Sequence, residues 1–209
     1  MFLVPIVSLI IVAYSKSVYP NRFKNMWRSI YNAILLRQMI REESNIPKEY
    51  ILHFANYVML TGLALFSVFK LLEIPVFGLS GILLYLVSCG IITLLYFIKG
   101  IGVTVTSFII NGDFTLSEYR YVVFLINRVL GVILLPLIIM LVYGPLSQAH
   151  YYLIAVAGVL FLAYLYRVGK GLINALRSGV GVFYIFFYIC TLEILPIIIS
   201  TKFIMNFKV

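Results

Sequence analysis

Acidic side chains are scarce in this sequence. Asp and Glu number seven in 209 residues, and all charged residues together make up 11%. A soluble domain carries about 25% charged residues, so the shortage excludes an ordinary water-soluble fold. No paired-acid hydrolase site, Gly-rich phosphate loop or cofactor motif can be read from what remains. Cysteine is scarce too. Cys89 and Cys190 are the two in the chain, and both lie inside apolar runs. Neither has a Cys or His at metal-ligand spacing, which excludes a zinc site, and both read as small buried hydrophobes. Long polar segments are also missing, so no loop can hold a separate soluble domain. The sequence implies no cofactor and no metal.

Apolar residues are abundant instead, at 63% of the chain, with a mean hydropathy of +1.09. They come in runs close to the about 20 residues that cross a bilayer core as a helix. The pattern predicts an all-α polytopic transmembrane helix bundle of about six spans in a single integral membrane domain, 1–209. The spans fall at 2–18, 51–72, 79–98, 121–143, 150–166 and 178–201. The first run has no basic residues before it and no Ala-x-Ala site after it, so it reads as a retained helix and not a cleaved leader. Residues 99–112 read as an extension of the third helix or a shallow re-entrant segment. Thr115-Leu116-Ser117-Glu118 has the form of a capping box, with Thr115 as N-cap of the fourth helix.

A basic amphipathic segment follows the first span, over about 22–43. Phe23, Met26, Trp27, Ile30, Tyr31 and Ile34 repeat at helical spacing and make one apolar face. Arg22, Lys24, Arg28, Arg37 and Arg41 populate the remainder. This predicts an interfacial helix lying on anionic headgroups or docking a partner, with Trp27 as an anchor. The net charge of +9 therefore points to a lipid bilayer and to other membrane subunits, and not to nucleic acid. Twelve of the sixteen Lys and Arg fall on the side that holds 16–50, 99–120 and 167–177, against three on the other. By the positive-inside rule that side is cytoplasmic and both termini face outward.

Chemistry inside the spans is confined to a few residues. Glu193 lies deep in the last run, where a carboxylate costs about 2.5–3.5 kcal/mol unless protonated or paired. Cys190 and Thr191 lie beside it, and Pro196 and Pro136 are expected to kink their helices. Asn127 and Arg128 are the polar residues of the fourth span. Arg128 is the obvious candidate partner for Glu193, but a ~12 Å difference in expected depth argues against a simple pair. The carboxyl reads either as a helix-locking hydrogen-bond partner or as a proton or cation site. The Gly78, Gly81, Gly100 and Gly102 positions read as places where helices approach closely.

Two resemblances follow from short motifs. Gly78-Leu79-Ser80-Gly81 and Ala149-His150 resemble the Gly-x-Ser-Gly and Ala-His motifs of rhomboid intramembrane proteases. That resemblance implies Ser80 as nucleophile and His150 as base, and it covers about six residues. The plain reading of the same residues is a Gly/Ser turn and an interfacial His. His53 and Asn56 lie near the opposite end of the membrane. Asn127-Arg128-Val129-Leu130-Gly131, Leu134-Leu135-Pro136-Leu137 and the closing Tyr188-Ile189-Cys190-Thr191-Leu192-Glu193-Ile194-Leu195-Pro196 resemble a second family. Its members are bacterial inner-membrane proteins classed as a domain of unknown function. This implies a bacterial inner-membrane location and a helical fold. It supplies no activity. The favoured expectation is a non-catalytic membrane subunit or scaffold of a cell-envelope complex, in secretion or envelope biogenesis. A small transporter or proton-coupled channel built on Glu193 comes second.

Overall fold

The computed structural model describes residues 2–42, 48–72, 81–110 and 113–177. Among these residues every regular element is a helix. Their order is α1 (Leu3–Val18), α2 (Pro20–Tyr31), α3 (Ala33–Glu42), α4 (Lys48–Leu71), α5 (Ile82–Ile110), α6 (Asp113–Tyr143) and α7 (Ala149–Arg177). Four of them, α4 to α7, are each long and apolar enough to cross a membrane, and the bent pair α1 and α2 would make a fifth. The expected sixth span, 178–201, lies outside the described residues.

Local chemistry explains each break. Tyr19 precedes Pro20, whose ring disfavours helical backbone at the residue before it, and Pro20 itself suits a first helical turn. Tyr19 accordingly leaves the helical region, and α2 departs from α1 at 103°. The expected single helix over 22–43 is two helices. Asn32 adopts an extended conformation that ends α2. Its Oδ1 then accepts from the backbone N–H groups of Ile34 and Leu35, at 3.0 and 3.3 Å, and caps α3. An Asn side chain that satisfies orphan N–H groups makes such a break inexpensive.

Through 99–110 the helix of α5 runs unbroken, the first of the two readings of that segment. Two other boundaries differ from expectation. The helix of α6 begins at Asp113, so Thr115 lies inside it and is not its N-cap; an acid at the first position is favoured by the helix dipole. The helix of α7 continues through 167–177, where a basic turn was expected. Pro136 sits within α6, which remains helical on both sides of it.

The centre of the bundle is α6, packed on α4 and α7 and touching α1 and α5. Burial covers 61% of its membrane-length stretch and 44% of that of α4, against 11% for α5 and for α7. The inner pair therefore forms the core, with Leu60, Leu63, Leu134 and Ile138 fully enclosed. In lipid, helices associate by close packing and hydrogen bonds, since tails are as apolar as Leu. Small residues consequently sit where backbones touch. A Cβ at Gly62 would strike the Sγ of Cys89, and one at Gly131 would lie 3.3 Å from Asn56 Nδ2 and 3.4 Å from Tyr57 N. Among the described residues the expected close approaches at Gly81 and Gly100 are not found, and Gly78 lies outside the described residues. Gly81 serves the backbone: its φ of 62° is the left-handed turn from which α5 starts.

Candidate functional site

The basic ends of α4, α6 and α7 enclose a set of polar side chains. On α4, Tyr50, His53, Asn56 and Tyr57 recur at three- and four-residue spacing and so share one face. On α6, Asn127 and Arg128 are adjacent and 0% and 3% exposed. Tyr96 approaches from α5 and Arg167 from α7. A polar group held in hydrocarbon must find a partner or bear a desolvation penalty; several of these residues find one another, while His53 Nδ1, Asn56 Oδ1, Asn127 Nδ2 and Arg128 Nη2 do not.

Asn127 is the hub. Its Oδ1 accepts from the Tyr96 hydroxyl at 3.1 Å and from Arg167 Nη2 at 2.6 Å. One amide oxygen thus joins α5 and α7 to α6, using both lone pairs. The Tyr96 hydroxyl spends its single hydrogen on Asn127, so Tyr57 is the donor in the 2.9 Å Tyr57–Tyr96 bond. The relay Tyr57, Tyr96, Asn127 therefore has one direction and connects α4 to α6 through α5. The two tyrosine rings meet edge to face, 5.6 Å apart at 89°. A second amide, Asn56, donates to the carbonyl of Gly131 at 3.2 Å across the tight α4–α6 crossing.

Arg128 occupies a different environment. Its guanidinium carbon lies 3.3 Å above the Tyr50 ring and 5.6 Å from that of Tyr121, whose hydroxyls pair with each other at 3.1 Å. Its Nε donates to the carbonyl of Phe124 at 3.4 Å. A desolvated cation over an aromatic face is worth about 2 kcal/mol, which offsets part of the cost of burial. Above this charge lies α2. Its Met26 is buried, and Phe23, Trp27 and Ile30 pack partly buried onto the core, with Phe23 6.4 Å from the His53 ring. The backbone carbonyl of Ile30 accepts from Tyr166 at 2.7 Å.

Several expected residues take different places. The apolar face of α2, Trp27 included, rests on the bundle, while Arg22, Lys24 and Arg28 are exposed. The side chains of Arg37 and Arg41 lie outside the described residues, as do Ser80, Cys190, Thr191, Glu193 and Pro196. Arg167, expected in an exposed turn, is a buried core residue. His150 is exposed at the start of α7, its ring 3.8 Å from that of Tyr151. Cys89 is a free, half-buried thiol near the carbonyl of Val58. Asn127 and Arg128 were visible in sequence, but Tyr57, Tyr96 and Arg167 were not. The Tyr50-x-x-His53-x-x-Asn56-Tyr57 stripe was the signal for α4. No group of three or more His, Cys, Asp or Glu able to hold a metal occurs among the described residues.

Comparison with known families decides the affiliation. The model of DUF4271, a domain of unknown function, matches residues 1–204. The chain belongs to this family. The DUF4271 region takes in both the Asn127 cluster and the hydrophobic run that holds Glu193. No curated protein and no solved structure matches the chain.

Proposed function

We propose that this DUF4271 protein is a non-catalytic integral membrane subunit or scaffold of a bacterial cell-envelope complex, in secretion or envelope biogenesis. It lies in the inner membrane with its basic end cytoplasmic. The observation that carries this reading is the use of the buried polar groups. Asn127 spends its oxygen on tying α5 and α7 to α6, and Asn56 ties α4 to the same helix. Such ties make a rigid inner core. They leave α5 and α7 with apolar outer faces, including Leu86, Leu94 and Phe97 on one and Phe161 and Leu162 on the other. Those faces suit the helices of partner subunits as well as lipid.

A small transporter or proton-coupled channel using Glu193 is the second reading. It draws on the polar atoms Asn56 Oδ1 and Asn127 Nδ2, which are buried without a hydrogen-bond partner in the bundle. Substitution of Glu193 separates the two. Under the scaffold reading, Glu193→Gln keeps a donor, an acceptor and nearly the same volume, so the protein accumulates and complements a deletion strain. Glu193→Ala leaves its polar neighbours unsatisfied, a cost of about 1–3 kcal/mol, and lowers protein abundance. A Gln variant that is abundant, membrane-inserted and inactive contradicts the scaffold reading and favours transport.

A further inference from the structure

The bend between α1 and α2 leaves a small pocket against α4 and α6, lined by Ser15, Tyr19, Arg22, Phe23, His53 and Arg128. Three polar atoms of that lining are buried and have no hydrogen-bond partner: Ser15 Oγ, His53 Nδ1 and Arg128 Nη2. Their residues are 2%, 5% and 3% exposed. They come from three different helices yet converge on one space. Each can donate, His53 in the tautomer that places a hydrogen on Nδ1. The described lining residues carry donors and aromatic rings, and the chain's seven acidic side chains lie outside those described. A buried donor left unmade is costly, and a guanidinium more so, which makes this a site short of an anion.

We propose that the pocket binds phosphate oxygen, supplied by the headgroup of an anionic phospholipid. Arg128, Ser15 and His53 hold the oxygen from within, and Arg22 adds charge at the exposed rim. The floor has room for about one water-sized group and then opens outward, so one or two oxygens enter while the rest of the headgroup stays outside. A lipid fits this better than a free ion. Ile10, Tyr14 and Val18 recur at four-residue spacing on an exposed apolar face of α1, the helix whose Ser15 lines the pocket. Basic pockets between helices at a cytoplasmic surface are a physical solution for anionic headgroups.

The test uses the full chain, stripped of lipid in a neutral detergent. It is titrated separately with phosphatidic acid, phosphatidylcholine and inorganic phosphate, and bound ligand is read by native mass spectrometry. The expected result is one phosphatidic acid per chain, bound about tenfold more tightly than phosphatidylcholine. Ser15→Ala combined with Arg22→Gln should weaken that binding about tenfold while the ligand-free chain still unfolds in one cooperative transition. Lys24→Gln, on the exposed side of the same helix, should leave it unchanged. Arg128→Gln should abolish it, and the Ser15 and Arg22 pair carries the test if that variant does not fold. Binding indifferent to headgroup charge or to Ser15 and Arg22 overturns the proposal. Inorganic phosphate bound as tightly as the lipid overturns the lipid assignment. Anion binding that appears only in Glu193→Gln also overturns it, because the chain's own carboxylate would then be the occupant.

Discussion

Asn127 concentrates the energetics of the interior on one side chain. Replacing it by Ala leaves Arg167 buried beside a void and removes the acceptor for Tyr96. The expected cost is about 1.5–3 kcal/mol, the range for a hydrogen bond to a charged group. Asn127→Asp behaves differently. It keeps both acceptor positions and places a carboxylate against a guanidinium that already approaches to 2.6 Å. Thermal unfolding in detergent should therefore rank Asp close to or above the native protein and Ala far below it. If the two variants were equally destabilised, Asn127 would matter only through its volume. Sequence singled out Asn127 and Arg128 because polar groups stand out in an apolar run. It could not reveal what they touch. Arg167 sits at the end of its expected span, where Lys and Arg ordinarily snorkel, and only the tertiary contact with Asn127 makes it a core residue. Glu193 stood out for the same reason as Arg128, and its surroundings belong to the residues not described.

Helices were legible as apolar runs, but their ends and faces were less so. Of the apolar period over 23–34, Phe23, Met26, Trp27 and Ile30 share one face, while Tyr31 and Ile34 are exposed on either side of the Asn32 break. Nothing in that period says whether the face meets lipid or protein. In the structure it rests on the bundle, because the Tyr19-Pro20 break folds α2 back over the ends of α4 and α6. The break at Asn32 was missed because Asn is common on exposed helical faces, and its capping role depends on the conformation it adopts. Small residues misled in the opposite direction. Paired glycines at 78–81 and 100–102 drew attention, whereas the described tight crossings use Gly62 and Gly131, neither of which has a second glycine within four residues. Gly62→Val should accordingly push α4 away from Cys89 on α5 and destabilise the fold by about 1–3 kcal/mol. Gly100→Ala should be neutral or slightly stabilising, since the added methyl meets open space and helix propensity improves. Paired unfolding curves of the two variants check this, and the reverse order would show that the α4–α5 crossing is placed wrongly.

At the scale of the molecule the described residues form a membrane bundle with a crowded centre and apolar flanks, and its charge asymmetry is the ground for the proposed orientation. A Cys placed at Asn21 should resist an impermeant thiol reagent applied from outside the cell, while one at Ser147 should react. Labelling of Asn21→Cys would reverse the proposed topology. The class of the fold followed from composition alone, because so few charges and such long apolar runs admit little else. The function did not, because neither the polar hub nor the exposed flanks carry a chemistry that one sequence can name. The scaffold reading makes its sharpest statement about assembly. The direct measurement is the mass of the complex isolated in mild detergent, from cells carrying the native chain and from cells with Leu86, Leu94 and Phe97 replaced by Ala. The account predicts a discrete complex with a different membrane protein at fixed stoichiometry, lost in the triple variant while the chain itself remains folded. A monomer or pure homo-oligomer that moves protons or ions in reconstituted vesicles would contradict it.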